Sequence, residues 1–295
     1  MFKALLSLTF IIISVNLFGQ YNVQIIDTEK VVTSFKAVDS ADAFLKLQDF
    51  LTKKLKKGYI VASFDSIVLD SLNFKAFFSE NERFYWSNVV FVNSDSSYNT
   101  HFNKNRFKNK PVNFNMLDSK IEEILYSYSS VGYPFSQIFY DSILISQNLV
   151  GVRISIKKNN FIQFDSIYFD PNVKIRVSFL ENYLQFNKNS AYNVKIIEGV
   201  SDKLFGLPFI KVVMPPEIEF HSQTADLFLY LKNQRANRFS GIIGFSNANQ
   251  KFSVVGQADM KIYNIFKNAD NISLKWEKTK SLSQNLNLDF SFPYI

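Results

Sequence analysis

The sequence predicts an α+β chain in which three tandem domains precede a group of antiparallel strands. Two patterns and a leader segment support this prediction. Gly58, Gly132 and Gly206 lie 74 residues apart, and each follows a helix-like segment and precedes strand-like ones. After Asn237 the chain changes to alternating apolar and polar residues, which is typical of strands with one apolar face. The leader at the N-terminus resembles an export signal.

The composition is that of a folded, strand-rich protein. The 295 residues are 47% hydrophobic and 20% charged, which excludes a disordered chain. The 32 phenylalanines and 14 tyrosines favour pleated strands. The absence of cysteine excludes a disulfide framework and thiol catalysis. The net charge of +7 comes from basic residues scattered among acids and amides, so we expect no nucleic acid partner.

Residues 1–20 predict a signal peptide. The segment "MFKALLSLTFIIISVNLFGQ" has a lysine, then an apolar run, then a small residue near the expected cleavage site at Gly19 or Gln20. The apolar run is shorter than the roughly 20 residues that a transmembrane helix needs. A buried N-terminal helix is the alternative. We therefore expect the mature chain to be exported from the cytoplasm.

Three copies of one unit account for residues 21–236. Each copy has a strand, a helical region and two more strands, and a helix pair on a three-stranded sheet is a sufficient core for this size. Glycine ends each helical region because it adopts a left-handed conformation at little steric cost. Coincidental spacing is the alternative. The predicted domains are 21–86, 87–160 and 161–236, with structural joints at Gly58, Tyr59, Gly132, Tyr133 and Gly206.

Residues 237–295 predict about four strands of about ten residues each, a pattern that membrane-spanning strands share. Apolar and polar residues alternate along these strands, so charged and amide residues such as Asp259 and Asn287 lie on the face opposite the apolar one. A soluble antiparallel sheet with one wet face is the alternative. The residues predicted to face lipid are Phe252, Val254, Met260, Ile262, Leu274, Trp276, Leu286, Leu288, Phe290 and Phe292.

Three segments carry a resemblance to a known family. "KKGYIVASFDSI", "SVGYPFSQIFYDSI" and the junction "YNVKIIEGVSDKLFGLPFIKVVMPPEIEFHSQTADLFLYLKNQRANRFSGIIGF" resemble the outer-membrane β-barrel assembly family, of the BamA and TamA type. The resemblance implies tandem β-α-α-β-β POTRA domains in the periplasm, followed by the first strands of a transmembrane β-barrel that sits in the outer membrane. It covers roughly residues 21–295.

The family's barrels have many more strands than the four or so predicted from residue 237 onward. An open sheet leaves two edges whose unpaired backbone groups are costly in hydrocarbon. We therefore expect the sequence to be the front part of a longer protein. The alternative is that several copies combine their sheets into one barrel.

No pattern of catalytic residues is present. His101 and His221 stand in unrelated contexts, and Glu122 and Glu123 are neighbours on one helix and so face different ways. The sequence contains no nucleophile elbow, phosphate-binding loop or zinc-protease motif. We expect no enzymatic activity, no cofactor and no metal site.

Without catalytic residues, we expect a binding function that uses the unpaired backbone groups of edge strands. An unpaired strand can accept an extended client segment by β-augmentation, and the candidate edges are residues 59–69, 133–145 and 207–214. The resemblance implies assembly, insertion or translocation of outer-membrane proteins, and it implies unfolded clients, accessory subunits and outer-membrane lipid as partners. It also implies a weak barrel seam, which falls here on Gly241 and Gly244. The alternatives are a periplasmic scaffold, a fragment without insertase activity, and a barrel that carries an enzyme domain elsewhere.

Overall fold

The structure is a computed structural model that describes residues 20–71, 73–92, 107–246, 252–280 and 283–293. The predicted signal peptide, except Gln20, and His101 lie outside these residues. The described chain holds four helices and fourteen strands, and the strands form four separate sheets. The predicted α+β fold class is confirmed.

The first sheet has four strands, and one helix packs against it. It consists of β1 (Tyr21–Asp27), β2 (Lys30–Ala37), α1 (Ser40–Lys56), β3 (Ser63–Asp70) and β4 (Asn73–Ser79). The strand order is β2-β1-β4-β3, and β1 and β4 run parallel. The predicted helix pair is wrong here, because β2 forms a hairpin with β1 where the first helix was expected. Thr28 and Glu29 both have positive φ, which suits a two-residue turn between antiparallel strands.

The helix α1 begins at an aspartate. Asp39 is the N-cap, and its side chain accepts a hydrogen bond of 2.7 Å from the backbone N–H of Asp42. The helix buries Ala43 and Leu47 against the sheet. The core that results contains Val23, Ile25, Ala37, Ala62, Phe74, Ala76 and Phe78.

The second sheet has the predicted strand arrangement. It consists of β5 (Tyr85–Val92), β6 (Gln137–Ser146) and β7 (Leu149–Lys157), and helix α2 spans Phe114–Ser129. The order is β5-β7-β6, and β5 and β7 run parallel. Strand β5 begins two residues before the predicted boundary at residue 87.

The third sheet and its two helices have the complete β-α-α-β-β order of the predicted unit. Its elements are β8 (Gln163–Phe169), α3 (Val177–Leu184), α4 (Val194–Phe205), β9 (Ile210–Phe220) and β10 (Thr224–Asn233). The order is β8-β10-β9, again with the first and last strands parallel. Apolar residues from both helices and all three strands form one core, which includes Leu180, Phe186, Val200, Leu204 and Leu227.

The fourth sheet is an antiparallel meander. The strands β11 (Arg238–Ser246), β12 (Ser253–Tyr263), β13 (Asn271–Lys280) and β14 (Ser283–Ser291) pair in sequence order. No helix within the described part of the chain is long and apolar enough to cross a bilayer.

The chain packs as two compact units. One contains the described residues up to 120 together with 139–155, and the other contains 121–138 together with 156–293. This division crosses the second predicted domain. The boundaries 21–86, 87–160 and 161–236 therefore stay predictions.

Candidate functional site

Gly58 and Gly132 have left-handed backbones and lie in close contact with the segment that leads to the next strand. Their φ angles are +98° and +97°. A Cβ atom at Gly58 would lie 2.8 Å from the backbone oxygen of Phe84, and one at Gly132 would lie 2.2 Å from the ring of Phe161. Each glycine oxygen also accepts a hydrogen bond from the segment that leads to the next strand, at 2.7 Å from Phe84 N and 2.8 Å from Ile162 N. Both positions therefore need glycine for conformation and for close approach.

Gly206 differs from the other two glycines. It caps α4 with φ of −68° and ψ of −11°, so the predicted left-handed conformation is wrong at this position. A Cβ atom at Gly206 would lie 3.1 Å from Lys203 O and 3.3 Å from Tyr183 Oη, both in the same strand-and-helix unit. Gly206 therefore ends a helix without the left-handed conformation of the other two glycines.

Tyr59 and Tyr133 directly follow the two left-handed glycines, and a lysine ammonium group makes a cation–π contact with each ring. Lys54 Nζ lies 5.6 Å from the Tyr59 ring, and Lys158 Nζ lies 5.1 Å from the Tyr133 ring. The Phe161 ring packs edge-on against Tyr133 at 5.3 Å. These contacts fix the chain just before β3 and β6 begin.

Two asparagines complete the equivalence of the first two joints. Asn81 and Asn159 have φ of +58° and +57°. Their side-chain amides donate to Val61 O at 3.0 Å and to Phe135 O at 2.6 Å, in the segments just after the glycines. The same hydrogen bond thus occurs at the same place in two units, which supports the repeat.

The three candidate edges, β3, β6 and β9, are all outermost strands of the described sheets. Strand β9 contains Pro215 and Pro216, which lack N–H donors, and its pairing with β10 shifts register twice. Strand β3 is shorter, and its pairing with β4 is irregular between Phe64 and Ser66. Strand β6 has ten residues and no proline. It is therefore the edge best suited to accept another strand.

The side chains of β6 are unusually exposed for an apolar strand. Leu144 is 71% exposed and Ile145 61%, and Phe139 and Ile143 are about half exposed. An exposed apolar edge of this length is a template for pairing with another chain. Burial, and then the neighbouring Asp118 carboxylate, raises the pKa of Tyr140 on the same strand.

An aspartate–serine hydrogen bond joins the edge strand to its partner in two of the three hairpins, those of β6 and β3. Asp141 on β6 accepts from Ser155 Oγ on β7 at 2.6 Å. In the first sheet, Asp65 on β3 accepts from Ser79 Oγ on β4 in the same way. The repeated Asp-Ser-Ile of residues 65–67 and 141–143 therefore has a structural role in holding the edge strand to its partner.

The fourth sheet has apolar residues on one face and mostly polar residues on the other. Met260 on β12 lies opposite Phe239 on β11 and Leu274 on β13, and Leu274 lies opposite Leu288 on β14. On the other face, Asp259 lies opposite Lys275, which lies opposite Asn287. Val254, Ile262, Trp276, Leu286 and Phe290 share the apolar face by register, while Phe252 and Phe292 lie one residue outside their strands and contact Phe245 and Phe290. Their exposure to lipid stays a proposal.

The predicted seam residues, Gly241 and Gly244, lie on an outer strand. They pair with Ala258 and Val255 on β12, and the described residues place no partner on the other side of β11. A third glycine, which the sequence reasoning missed, contacts this strand more closely. A Cβ atom at Gly256 would lie 2.3 Å from Ile242 O on β11. A glycine in the middle of an alternating strand is the signal that could have found it.

The polar groups of the third sheet form a structural pair. His221 Nε2 lies 3.0 Å from Asp226 Oδ2, and the other oxygen of this buried carboxylate accepts from Ser166 N at 3.0 Å. The hydrogen bond from Ser166 N to Asp226 ties β10 to β8. Among the described residues, no group of three or more His, Cys, Asp or Glu side chains could hold a metal ion.

These features define a class of fold, namely tandem strand-helix units that lead into an antiparallel sheet with one apolar face. No family model and no curated protein matches the chain. Among solved structures, it is similar to BamA from Haemophilus ducreyi lacking POTRA domains 1–3, with a TM-score of 0.51 and 15% identity. The match covers 72% of this chain and 40% of that one, so the chain spans two fifths of the length of that BamA structure.

Two further solved structures are similar at lower scores. BamA POTRA3–5 from Haemophilus influenzae gives a TM-score of 0.47 at 12% identity, covering 73% of this chain and 98% of that one. CdiB from Acinetobacter baumannii gives 0.43 at 14% identity, covering 85% and 48%. At 15% identity, the Haemophilus ducreyi match shows a shared fold. The predicted resemblance to the BamA-type fold is thereby confirmed.

Proposed function

We propose that this chain is the client-receiving and membrane-entry region of an outer-membrane assembly or translocation factor. The observation that carries the proposal is the open apolar edge of β6 in the same chain as a sheet with one continuous apolar face. The strand-helix units lie in the periplasm, and the fourth sheet lies in the outer membrane. The partners are unfolded outer-membrane proteins, outer-membrane lipid and accessory subunits of the assembly machinery.

The backbone of β6 performs the recognition. The N–H and C=O groups along its outer edge pair with an extended client segment, so the affinity depends little on the client's sequence. The exposed side chains of Phe139, Ile143 and Ile145 contact the alternate apolar residues of a membrane strand. Such a segment is itself an unpaired strand until it enters a barrel. Among the described residues, β11 also has no partner on its outer side, which makes it a second candidate pairing site within the sheet placed in the membrane.

Lysines on β6 should weaken client binding. We expect Ile143→Lys combined with Ile145→Lys to weaken binding of a peptide with an outer-membrane strand sequence by roughly tenfold, because charged side chains block strand addition. Fluorescence anisotropy of the labelled peptide measures the change. The matched control is Ile67→Lys with Leu69→Lys on the irregular edge of β3, for which we expect a smaller loss. Equal losses would assign no special role to β6.

Deletion of the protein separates assembly from scaffolding. If the chain acts in assembly, loss of the full-length protein lowers the amounts of other barrel proteins in the outer membrane. Unchanged amounts would favour a periplasmic scaffold. Quantitative proteomics of isolated outer membranes makes this measurement.

A further inference from the structure

The turn between β12 and β13, residues 264–270, is fastened to the third strand-helix unit. The Asn264 side chain donates to Lys174 O, and Arg176 N donates to Lys267 O at 3.0 Å. Asp270 is fully buried and accepts from Ile265 N at 2.8 Å and from Phe266 N at 2.9 Å. The turn therefore has a fixed shape, and it is held against the segment before α3.

A cleft of about 830 Å³ opens between this turn and the segment that links β10 to β11. Lys174, Arg235 and Lys267 line it, together with amide side chains and apolar groups such as Phe209 and Ile262. The described residues that line the cleft include no carboxylate. Within the described chain, none of the three cations forms a side-chain ion pair. The one carboxylate of the turn, Asp270, is buried against backbone N–H groups, so the three cations give the cleft a net positive charge, which favours an anion.

The position of the turn indicates where this anion lies. Ile265 and Phe266 are 46% and 51% exposed, and the Phe266 ring lies 6.0 Å from Phe292, just beyond the end of β14. Aromatic residues at the ends of membrane strands lie at the level of the lipid headgroups. The cleft lies at the same end of the sheet, because Ile262 and Tyr263 at the end of β12 line it.

We propose that this cleft binds the headgroup of an anionic phospholipid in the leaflet that faces the third strand-helix unit. Lys174, Arg235 and Lys267 contact the phosphate, and Ile265 and Phe266 enter the interface beside the acyl chains. The inference rests on the proposed function, because it needs the fourth sheet to lie in a membrane. Bound lipid then holds the third unit at a fixed height relative to the membrane, next to β11.

Vesicle flotation of the full chain tests the proposal. The probes are vesicles of phosphatidylcholine alone and vesicles that also contain phosphatidylglycerol. We expect the unchanged protein to prefer the anionic vesicles, and Lys174→Gln/Arg235→Gln/Lys267→Gln to reduce this preference by on the order of 100-fold. Binding to phosphatidylcholine alone should stay the same. The matched control is Lys30→Gln/Lys75→Gln/Lys157→Gln, which removes the same charge from exposed strand positions.

Three outcomes would overturn the proposal. The first is a cleft variant that keeps the preference of the unchanged protein, and the second is a control variant that loses as much as the cleft variant. The third is displacement of the bound vesicles by inorganic phosphate at constant ionic strength, which would assign a free-anion site. Failure of the unchanged protein to float with either vesicle would instead contradict the membrane location of the sheet.

Discussion

We expect Leu274→Arg to destabilise the membrane-bound chain by about 2–4 kcal/mol if the residue lies near the bilayer midplane. Leu274 is on an inner strand of the fourth sheet, between Met260 and Leu288 on its apolar face. If the apolar face lies in the membrane as proposed, an arginine there places a charge in hydrocarbon, which solvates it poorly. Urea titration of the chain bound to phosphatidylcholine vesicles measures the change as a lower midpoint of release.

The neighbouring residue provides the control. Ser273→Arg adds the same charge to the opposite face, between Lys261 and Asp289. A charge on that face contacts polar groups and water, so we expect a change of less than about 1 kcal/mol. Equal tolerance of both substitutions would identify the sheet as a soluble one with a wet face, and it would remove the membrane from the proposed function.

The second large effect concerns the first joint. We expect Gly58→Ala to destabilise its surroundings by about 2–4 kcal/mol, because it combines a strained positive φ with overpacking. The new methyl group would meet Phe84 O at 2.8 Å, Pro111 Cβ at 3.0 Å and Val112 N at 3.3 Å. Two of these are backbone atoms that cannot turn aside. The segment from Phe84 to Trp86 must then shift.

Trp86 provides the measurement. The sequence has two tryptophans, Trp86 and Trp276, so residues 21–236 contain only the first. Trp86 is fully buried, and its backbone bonds to Asn109 and Lys110 next to the joint. Urea unfolding of residues 21–236, followed by tryptophan fluorescence, should show an earlier transition for Gly58→Ala.

A glycine elsewhere gives the opposite expectation. Gly199 lies inside α4, and a Cβ atom there would meet nothing within 4 Å. Gly199→Ala should therefore stabilise the third strand-helix unit by about 0.5–1 kcal/mol and leave the Trp86 transition unchanged. An unchanged transition in Gly58→Ala would show that the joint relaxes without cost.

Period-two alternation predicted the fourth sheet well, because side chains on a strand must alternate between faces. Once Met260 pairs with Leu274, the positions of Asp259 and Lys275 on the other face follow. Helix periodicity likewise predicted α4, and the strand-like segments that follow it predicted the hairpin of β9 and β10, whereas α3 was expected only as a member of the helix pair. These signals are local, so they can be recognised in a single sequence.

The features that were missed depend on contacts between distant residues. Strand β2 alternates weakly, and only its pairing with β1 turns an expected helix into a hairpin. The backbone of Gly206 is right-handed, and the atoms nearest to a Cβ there belong to preceding residues, whereas at Gly58 they belong to the segment that leads to the next unit. The preference for β6 over β9 rests on the exposed apolar side chains of β6 and on the two prolines and register shifts of β9, and of these the sequence shows only the prolines.

The parallel pairing of first and last strands has a consequence for the order of folding during export. A chain that crosses the inner membrane from its N-terminus delivers β5 and β8 well before their partners β7 and β10. Such non-local pairing is slow, and each early strand waits in an aggregation-prone state. Strand β1 avoids this delay, because β2 follows after a two-residue turn and pairs with it at once. If the chain is exported as proposed, the first strand of the first unit is therefore paired early, while β5 and β8 stay unpaired until β7 and β10 have followed.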